Sequence, residues 1–384
     1  MDDFLARHPG VKYIVYLTVD YGNVARCLLT TTSRARHIAA THGSVASASS
    51  MQFASWAITG TDDDVEQILE GSAHWRPHWE TLRLAHRVDQ AIVMCSLEEI
   101  KAGPAHELDR DPRTVLQRVI DEARREDGIE CMVGYEIEFH LLDGPGPSGP
   151  NEGAYSMSVV REARFDVVLE MVDAIERAGI STWAIHPEVN KDEYEISLAP
   201  RDALGAVDDL IHAQNIIRGI ARRHDLVATM HPQRAEQGPT IGNHTHISVN
   251  KCGDAFLAGL VEGLEGISAI LMGGYDSFGG GRNAMLGDGK IGWSESKSTP
   301  IRRFSENHFE NRVPDCLANP YLQLAALIGT GMEGVRGVGG GRRRSSLGQD
   351  HGTLPMGQAS ALDLLERNET MRRILGSAFE TQPK

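Results

Sequence analysis

The stretch Met132-Val133-Gly134-Tyr135-Glu136-Ile137-Glu138-Phe139-His140-Leu141-Leu142 constrains this chain more than any other. Apolar residues flank a short polar alternation, and Asp143-Gly144-Pro145-Gly146-Pro147 follows as a turn signal, so the stretch predicts a strand. Residues two apart on a strand share a face, which places the Glu136 and Glu138 carboxylates side by side, roughly 7 Å apart. Carboxylates so placed repel unless something positive sits between or beside them. Taken alone, an exposed acidic sheet face is the plainer reading. His140 lies on the same face by parity and reads equally as a packed histidine or as support behind the acids.

Three later stretches supply matching groups. His186-Pro187-Glu188-Val189-Asn190-Lys191-Asp192-Glu193-Tyr194-Glu195 brackets a polar turn with Glu188 and Glu195, as the two strands of a hairpin would. Gly242-Asn243-His244-Thr245-His246-Ile247-Ser248 puts two histidines on one strand face. Glu310-Asn311-Arg312 is again an i, i+2 pair. Each is weak by itself, since a His-x-His is more often a hydrogen-bonded pair and a Glu-x-Arg a solvated face. A carboxylate-rich set with one imidazole suits Mg²⁺ or Mn²⁺ better than structural zinc, which prefers Cys and His. Cations held by carboxylates suit nucleotide phosphates and in-line phosphoryl transfer.

The length of 384 residues allows two domains or one large one. A net charge of −15 argues against non-specific binding to nucleic acid or anionic membranes, while leaving room for a local positive pocket. Cys27, Cys95, Cys131, Cys252 and Cys316 are odd in number and lack CxxC spacing. They predict reduced thiols in a cytoplasmic protein, not a disulfide framework or a zinc site. Met1-Asp2-Asp3 carries no signal-peptide pattern, and no apolar run approaches membrane-spanning length.

Along the chain, Val11 to Leu29 predicts a hairpin turning at Asp20-Tyr21-Gly22-Asn23, and Thr81 to Met94 a further strand. The segment from Gly103 to Asp109 predicts a domain boundary, dividing the chain into 1–107 and 108–384. Asp111-Pro112 opens a helix to about Glu126. Single long helices are expected over Met157–Ala178, stopped by Gly179, over Pro200–Arg223, over Ala255–Met272, and from about Ala359 to Phe379. Asn319-Pro320 caps another, from Tyr321 to about Val335. Tyr275–Ser298 and the glycine- and arginine-rich Gly337–Ser346 read as loops. The latter lacks the Gly-Lys-Ser/Thr of a P-loop.

The order of the four clusters resembles the glutamine synthetase family. Glu136-Ile137-Glu138 resembles the family's Glu-x-Glu strand, and His186-Pro187-Glu188 through Glu195 its His-x-Glu hairpin. Gly242 to Ser248 resembles its Gly-x-His-x-His-x-Ser strand. Glu310-Asn311-Arg312, Pro314-Asp315 and Ala318-Asn319-Pro320-Tyr321 resemble the segment that follows. Val19 to Arg26 is similar to the small N-terminal β-grasp domain, so the resemblance covers nearly the whole chain. It is strongest to the FluG-like and γ-glutamyl-amide ligase branches.

The resemblance implies an α+β fold: an N-terminal β-grasp domain and a catalytic domain built on a curved antiparallel sheet with outer helices. It implies ATP, Mg²⁺ or Mn²⁺, a small carboxylic acid and an amine. It also implies a homo-oligomer of stacked rings, a dodecamer being one form. Glu138, Glu188 and Glu195 would hold one metal, and Glu136, His244 and Glu310 the other. Arg312 would face the acid's carboxylate. Arg302 would contact phosphate, with Lys297 where the family usually has arginine, and His246 and Ser248 would lie near the nucleotide. The reaction implied is phosphorylation of a carboxylate, followed by attack of an amine on the acyl phosphate.

Departures sit on the substrate side. A gapless count back from Arg302 puts Gly279 and Met285 where the family has an arginine and a catalytic glutamate. A three-residue shift offers Arg282 and Asp288 instead, against the plainer reading of two solvated loop residues. Pro239-Thr240-Ile241 replaces the usual Asn-Gly, and Ser47 to Gln52 holds no ammonium-site aspartate. An acid–amine pair other than glutamate and ammonia is therefore the expectation. The competing classes are a catalytically inactive assembly or regulatory protein, and phosphoryl transfer without amide formation.

Overall fold

Apolar β-formers on both sides of a polar turn fold the N-terminal hairpin as expected. In the computed structural model, Tyr13–Val19 (β1) pairs antiparallel with Ala25–Thr31 (β2), and Asn23 turns the chain at φ +57°. The structure describes residues 1–41, 43, 45, 47–49, 72–99, 106–107, 111–143, 154–232, 241–278, 289–339 and 351–376. Ser47–Ser49 (β3), Ser72–Pro77 (β4), Arg83–Leu84 (β5), Gln90–Glu99 (β6) and His106–Glu107 (β7) complete a seven-stranded sheet. Its order is β2-β1-β6-β4-β3, with β1 parallel to β6. Thr81–Met94 is thus not one strand. The backbone bond from Gln90 N–H to the Arg87 carbonyl, 3.1 Å, closes a turn that folds β5 back on β6.

β1 is buried on both faces, which ties this sheet to the rest of the chain. Ile14 and Tyr16 pack with Ile38, Trp75 and Val93, while Val15, Leu17 and Val19 enter the main core. The turn is held from the other side: Asn23 Nδ2 donates to the Cys316 carbonyl and Asn319 Nδ2 to the Asp20 carbonyl, both at 2.8 Å.

The second sheet has nine strands and is centred on Cys131–Leu142 (β8). Strict alternation puts Val133, Tyr135, Ile137, Phe139 and Leu141 into the core and leaves Glu136, Glu138 and His140 on the other face. Thr182–Pro187 (β9), Glu193–Leu198 (β10), Arg201–Asp202 (β11), Val227–Thr229 (β12), Asn243–Val249 (β13), Trp293–Ser294 (β14), Ile301–Ser305 (β15) and His308–Asn311 (β16) complete it. The order is β14-β15-β16-β13-β8-β10-β9, antiparallel except between β14 and β15. This is the expected α+β layering, with a largely antiparallel sheet and helices packed on it.

Ala203–Arg223 and Pro320–Gly339 contribute much of the apolar layer. Asp202 caps the first through the Gly205 amide. The Asn319 side chain caps the second through the Tyr321 and Leu322 amides.

Three long helices expected from the sequence are broken. Met157–Val160 and Ala163–Arg177 are separate because Glu162 takes an extended N-cap conformation, from which Phe165 reaches Tyr194 at a ring separation of 6.0 Å. Gly253–Gly263 gives way to a 3₁₀ turn at Glu265–Ile267 and a short helix at Ser268–Leu271, with glycines at 263 and 266 weakening continuity. Gln358–Glu366 and Glu369–Leu375 part where Asn368 caps the second through the Met371 amide. The expected loops also carry structure: a 3₁₀ turn at Tyr275–Phe278, β14, and residues 337–339 inside a helix.

Gly253–Gly263 crosses Pro320–Gly339 at glycines. A Cβ at Gly334 would overlap the Ala255 carbonyl and the Gly259 amide. Gly334→Ala is expected to lower stability by about 1–3 kcal/mol, read as a lower thermal midpoint. Among the described residues no helix is long and apolar enough to cross a membrane.

Candidate active site

Strand register assembles the four sequence clusters on one face. Glu195 on β10 lies directly opposite Glu138 on β8, and His186 on β9 opposite Glu195. His244 on β13 lies opposite Glu136. His246 pairs with Glu310 on β16, and Glu310 with Arg302 on β15. Like charges directly opposite across a ladder are unfavourable, so the Glu138–Glu195 pair needs a positive neighbour.

The donors form two adjoining groups. In the first, His186, Glu188 and Glu195 place one ligand atom each within 4.8 Å of one another. His186 Nε2 is 3.3 Å from Glu195 Oε1, and its Nδ1 is 3.5 Å from Glu188 Oε1. Ser197 donates to Glu195 at 2.7 Å. In the second, Glu136, His246 and Glu310 meet the same distance criterion. Glu136 accepts at both oxygens, from His244 Nδ1 at 2.9 Å and His246 Nε2 at 3.1 Å.

Glu138, opposite Glu195 of the first group, and His244, beside Glu136 and Glu310 of the second, link the two. His244 Nδ1 is 3.6 Å from Glu138 and 3.5 Å from Glu310, and Glu138 accepts the Gly242 amide at 2.6 Å. The sequence expectation had His244 with Glu136 and Glu310, and His246 beside the nucleotide. The geometry brings both imidazoles to Glu136.

Charge and burial bias these groups strongly. Burial lifts the Glu138 carboxyl to about 7; the Glu195 and Glu188 charges add to the rise, while His244 and the Gly242 amide oppose it. Burial and then Glu138 push Glu193 to about 8. Burial and the Glu195 charge raise Glu188 as well, with the exposed Lys297 ammonium opposing. Burial would also raise Glu136, but its two imidazole partners hold it far below the usual carboxylate range. His186 and His244 resist protonation through burial, yet neighbouring carboxylates raise both.

The cationic side adjoins the second group. Arg312 Nη1 binds Glu310 Oε1 at 2.7 Å, and Arg302 Nη1 is 3.5 Å from its other oxygen. Arg312 is buried, and its Nε finds no hydrogen-bond partner among the described residues. Ser248 shares the His244–His246 face and lies opposite His308. Arg282 and Asp288 lie outside the described residues, as do Gly279 and Met285.

Sequence reasoning left out three neighbours. Glu193 is signalled by its i, i+2 spacing from Glu195. The His308 ring meets His246, and nothing local in the sequence announces it. Tyr155 sits with its ring 4.4 Å from His186, held by its amide on the Pro187 carbonyl, and takes a left-handed φ of +61°. A positive φ at a tyrosine marks backbone strain beside the acidic group.

Carboxylates and imidazoles thus gather on one face of the sheet beside two arginines, in two groups that could each hold a metal ion. The sequence model described as the glutamine synthetase catalytic domain matches residues 109–382, and the chain belongs to that family of C–N ligases. It is 26% identical over 352 residues to the protein FluG of Emericella nidulans, covering 88% of this chain and 40% of FluG. It is 30% identical over 309 residues to a glutamine synthetase of Pyrococcus abyssi, covering 70% of this chain and 69% of that one. It is 28% identical over 280 residues to a glutamate–isopropylamine ligase of a Pseudomonas species, covering 64% and 60%. The fold matches the ADP complex of GmaS with a TM-score of 0.82 at 22% identity, over 98% of this chain and 93% of that one. The chain thus spans less than half the length of FluG, 69% of that glutamine synthetase and 60% of the isopropylamine ligase.

Proposed function

We propose that this chain is an ATP-dependent, Mg²⁺- or Mn²⁺-dependent ligase that joins a small carboxylic acid to an amine through an acyl phosphate. The observation that carries the reading is the meeting of Glu138 with Glu195, and of Glu136 and Glu310 with two imidazoles, on one face of the sheet. The donor set fits divalent cations: it is oxygen-rich, it sets two carboxyls directly opposite each other, and the buried His186 Nδ1 finds no hydrogen-bond partner among the described residues. Glu138, Glu188, Glu195 and His186 would hold one ion. Glu136, Glu310 and one or both of His244 and His246 would hold the other. Bound there, the ions would neutralise charge on the transferring phosphoryl group.

Arg302, stacked over Phe304 at 4.1 Å, presents a cation beside Glu310 for that group, with Lys297 as a second. The free Arg312 Nε–H is a donor for the acid's carboxylate. His246 and Ser248 would face the nucleotide. Arg282 and Asp288 are kept as candidates for closing the site against water, which would otherwise hydrolyse the acyl phosphate.

The departures at Pro239-Thr240-Ile241 and Ser47–Gln52 support an acid other than glutamate, an amine other than ammonia, or both. The reading also carries a homo-oligomer with sites shared between neighbours, and the division into residues 1–107 and 108–384.

The test incubates the protein with ATP, Mg²⁺ or Mn²⁺ and panels of acids and amines, and follows ADP release. Release that requires both an acid and an amine supports the ligase. Acid-dependent release with a stable phosphorylated product supports phosphoryl transfer alone. Failure to bind ATP in the presence of metal supports the inactive alternative. Gly242→Ala gives a local check. Its Cβ would lie 2.7 Å from His244 Nε2, so the ring must turn from Glu136. Mn²⁺ affinity by calorimetry is expected to fall about tenfold.

A further inference from the structure

We propose that His308 is a positioning residue that fixes the orientation and proton placement of the His246 ring, and through it the cation group of Glu136, His246 and Glu310. The inference rests on the cation reading above. His246 is held at both ring nitrogens: Nε2 meets Glu136 Oε1 at 3.1 Å, and Nδ1 meets His308 Nε2 at 3.1 Å. A carboxylate only accepts, so the proton of this contact is on His246 Nε2. A neutral His246 then has a bare Nδ1, and His308 Nε2 must donate to it. Were His246 Nε2 to face a cation instead, its proton would sit on Nδ1 and His308 Nε2 would accept. An imidazole serves either role, so one partner supports His246 in both settings.

The position of His308 is fixed independently. It sits on β16 opposite Ser248, and a register shift between Arg303 and Ser305 brings Ser305 opposite it on the other side. The Phe304 ring stacks on it at 4.9 Å and 17°, and the Arg302 guanidinium lies over Phe304. Phe304 also meets the His246 ring at 5.3 Å, so His246 is cornered between an aromatic wall and its nitrogen partner. A ring held this way keeps Nε2 aimed at Glu136 without needing the ion.

The test compares full-length wild type, His308→Leu and His308→Gln, each stripped of metal and titrated with Mn²⁺ alone while free Mn²⁺ is read by electron paramagnetic resonance. Leucine can neither donate nor accept, whereas a glutamine amide can do both. The wild type is expected to show two classes of site. His308→Leu should weaken one class by about tenfold or more and spare the other, with an unchanged thermal midpoint, while His308→Gln stays close to wild type. Loss in neither class or in both equally overturns the inference, and so does a glutamine variant as weak as the leucine one. A wild type that binds no Mn²⁺ overturns the cation reading and this inference with it.

Discussion

Glu136→Ala is expected to lower ADP release by about a thousandfold and to remove one class of Mn²⁺ site, with the fold intact. Losing a partner behind a metal ligand costs roughly 10–100-fold, and Glu136 does more than that. It is a member of the second donor group and the shared acceptor of His244 and His246. Without it both rings lose a hydrogen-bond partner. Its side chain is 24% exposed and outside the apolar core, so the metal-free variant should melt within a few degrees of wild type. Kinetics alongside a Mn²⁺ titration distinguish the outcomes. A variant that retains full activity and both ions would remove Glu136 from the site.

The metal-free protein is expected to lose stability as pH rises from about 5 to about 8, and added Mg²⁺ or Mn²⁺ should restore more at pH 8 than at pH 5.5. The sign follows from the groups themselves. Burial, with neighbouring acids, raises the Glu138 carboxyl to about 7, Glu193 to about 8, and Glu188 as well. A carboxyl that binds its proton more tightly when folded leaves the native state holding more protons than the unfolded chain above 4.5, so stability declines with rising pH through that window.

His186 and His244 are raised despite burial. Their contribution is complete below the unfolded value of 6.5 and disappears as pH climbs through the folded one. Glu136 runs the other way, but its contribution is already complete above 4.5 and is flat across neutral pH. Glu138 alone accounts for on the order of 3 kcal/mol. Thermal midpoints with chelator and with Mg²⁺ across this range test the claim. A flat profile in chelator, or a cation effect equal at both pH values, would refute it.

The strands were legible because parity is a strong signal. Val133, Tyr135, Ile137, Phe139 and Leu141 alternate with Glu136, Glu138 and His140, and the register then placed Glu136, Glu138, Glu195 and Glu310 on one face. Helix continuity was less legible. Apolar periodicity ran through Glu162, Gly263 and Asn368, but a local N-cap or a glycine is decided by three-dimensional contacts that the pattern does not contain. Partners such as Tyr155 and His308 were invisible for a related reason. Each meets the site across a strand pair or a turn far along the chain, and no local spacing encodes that approach. Substrate-side loops offered the least, since their residues are fixed by no period.

The two-residue step of the central strand also has an evolutionary consequence. Deleting one residue between Cys131 and Glu136 would swing Ile137 and Phe139 outward and bury both acids, dismantling the acidic face at a stroke. A substitution on the apolar face or an exchange of loops leaves that parity untouched. A lineage built on this sheet can therefore vary its loops freely, while its strands tolerate no frameshift of a single position.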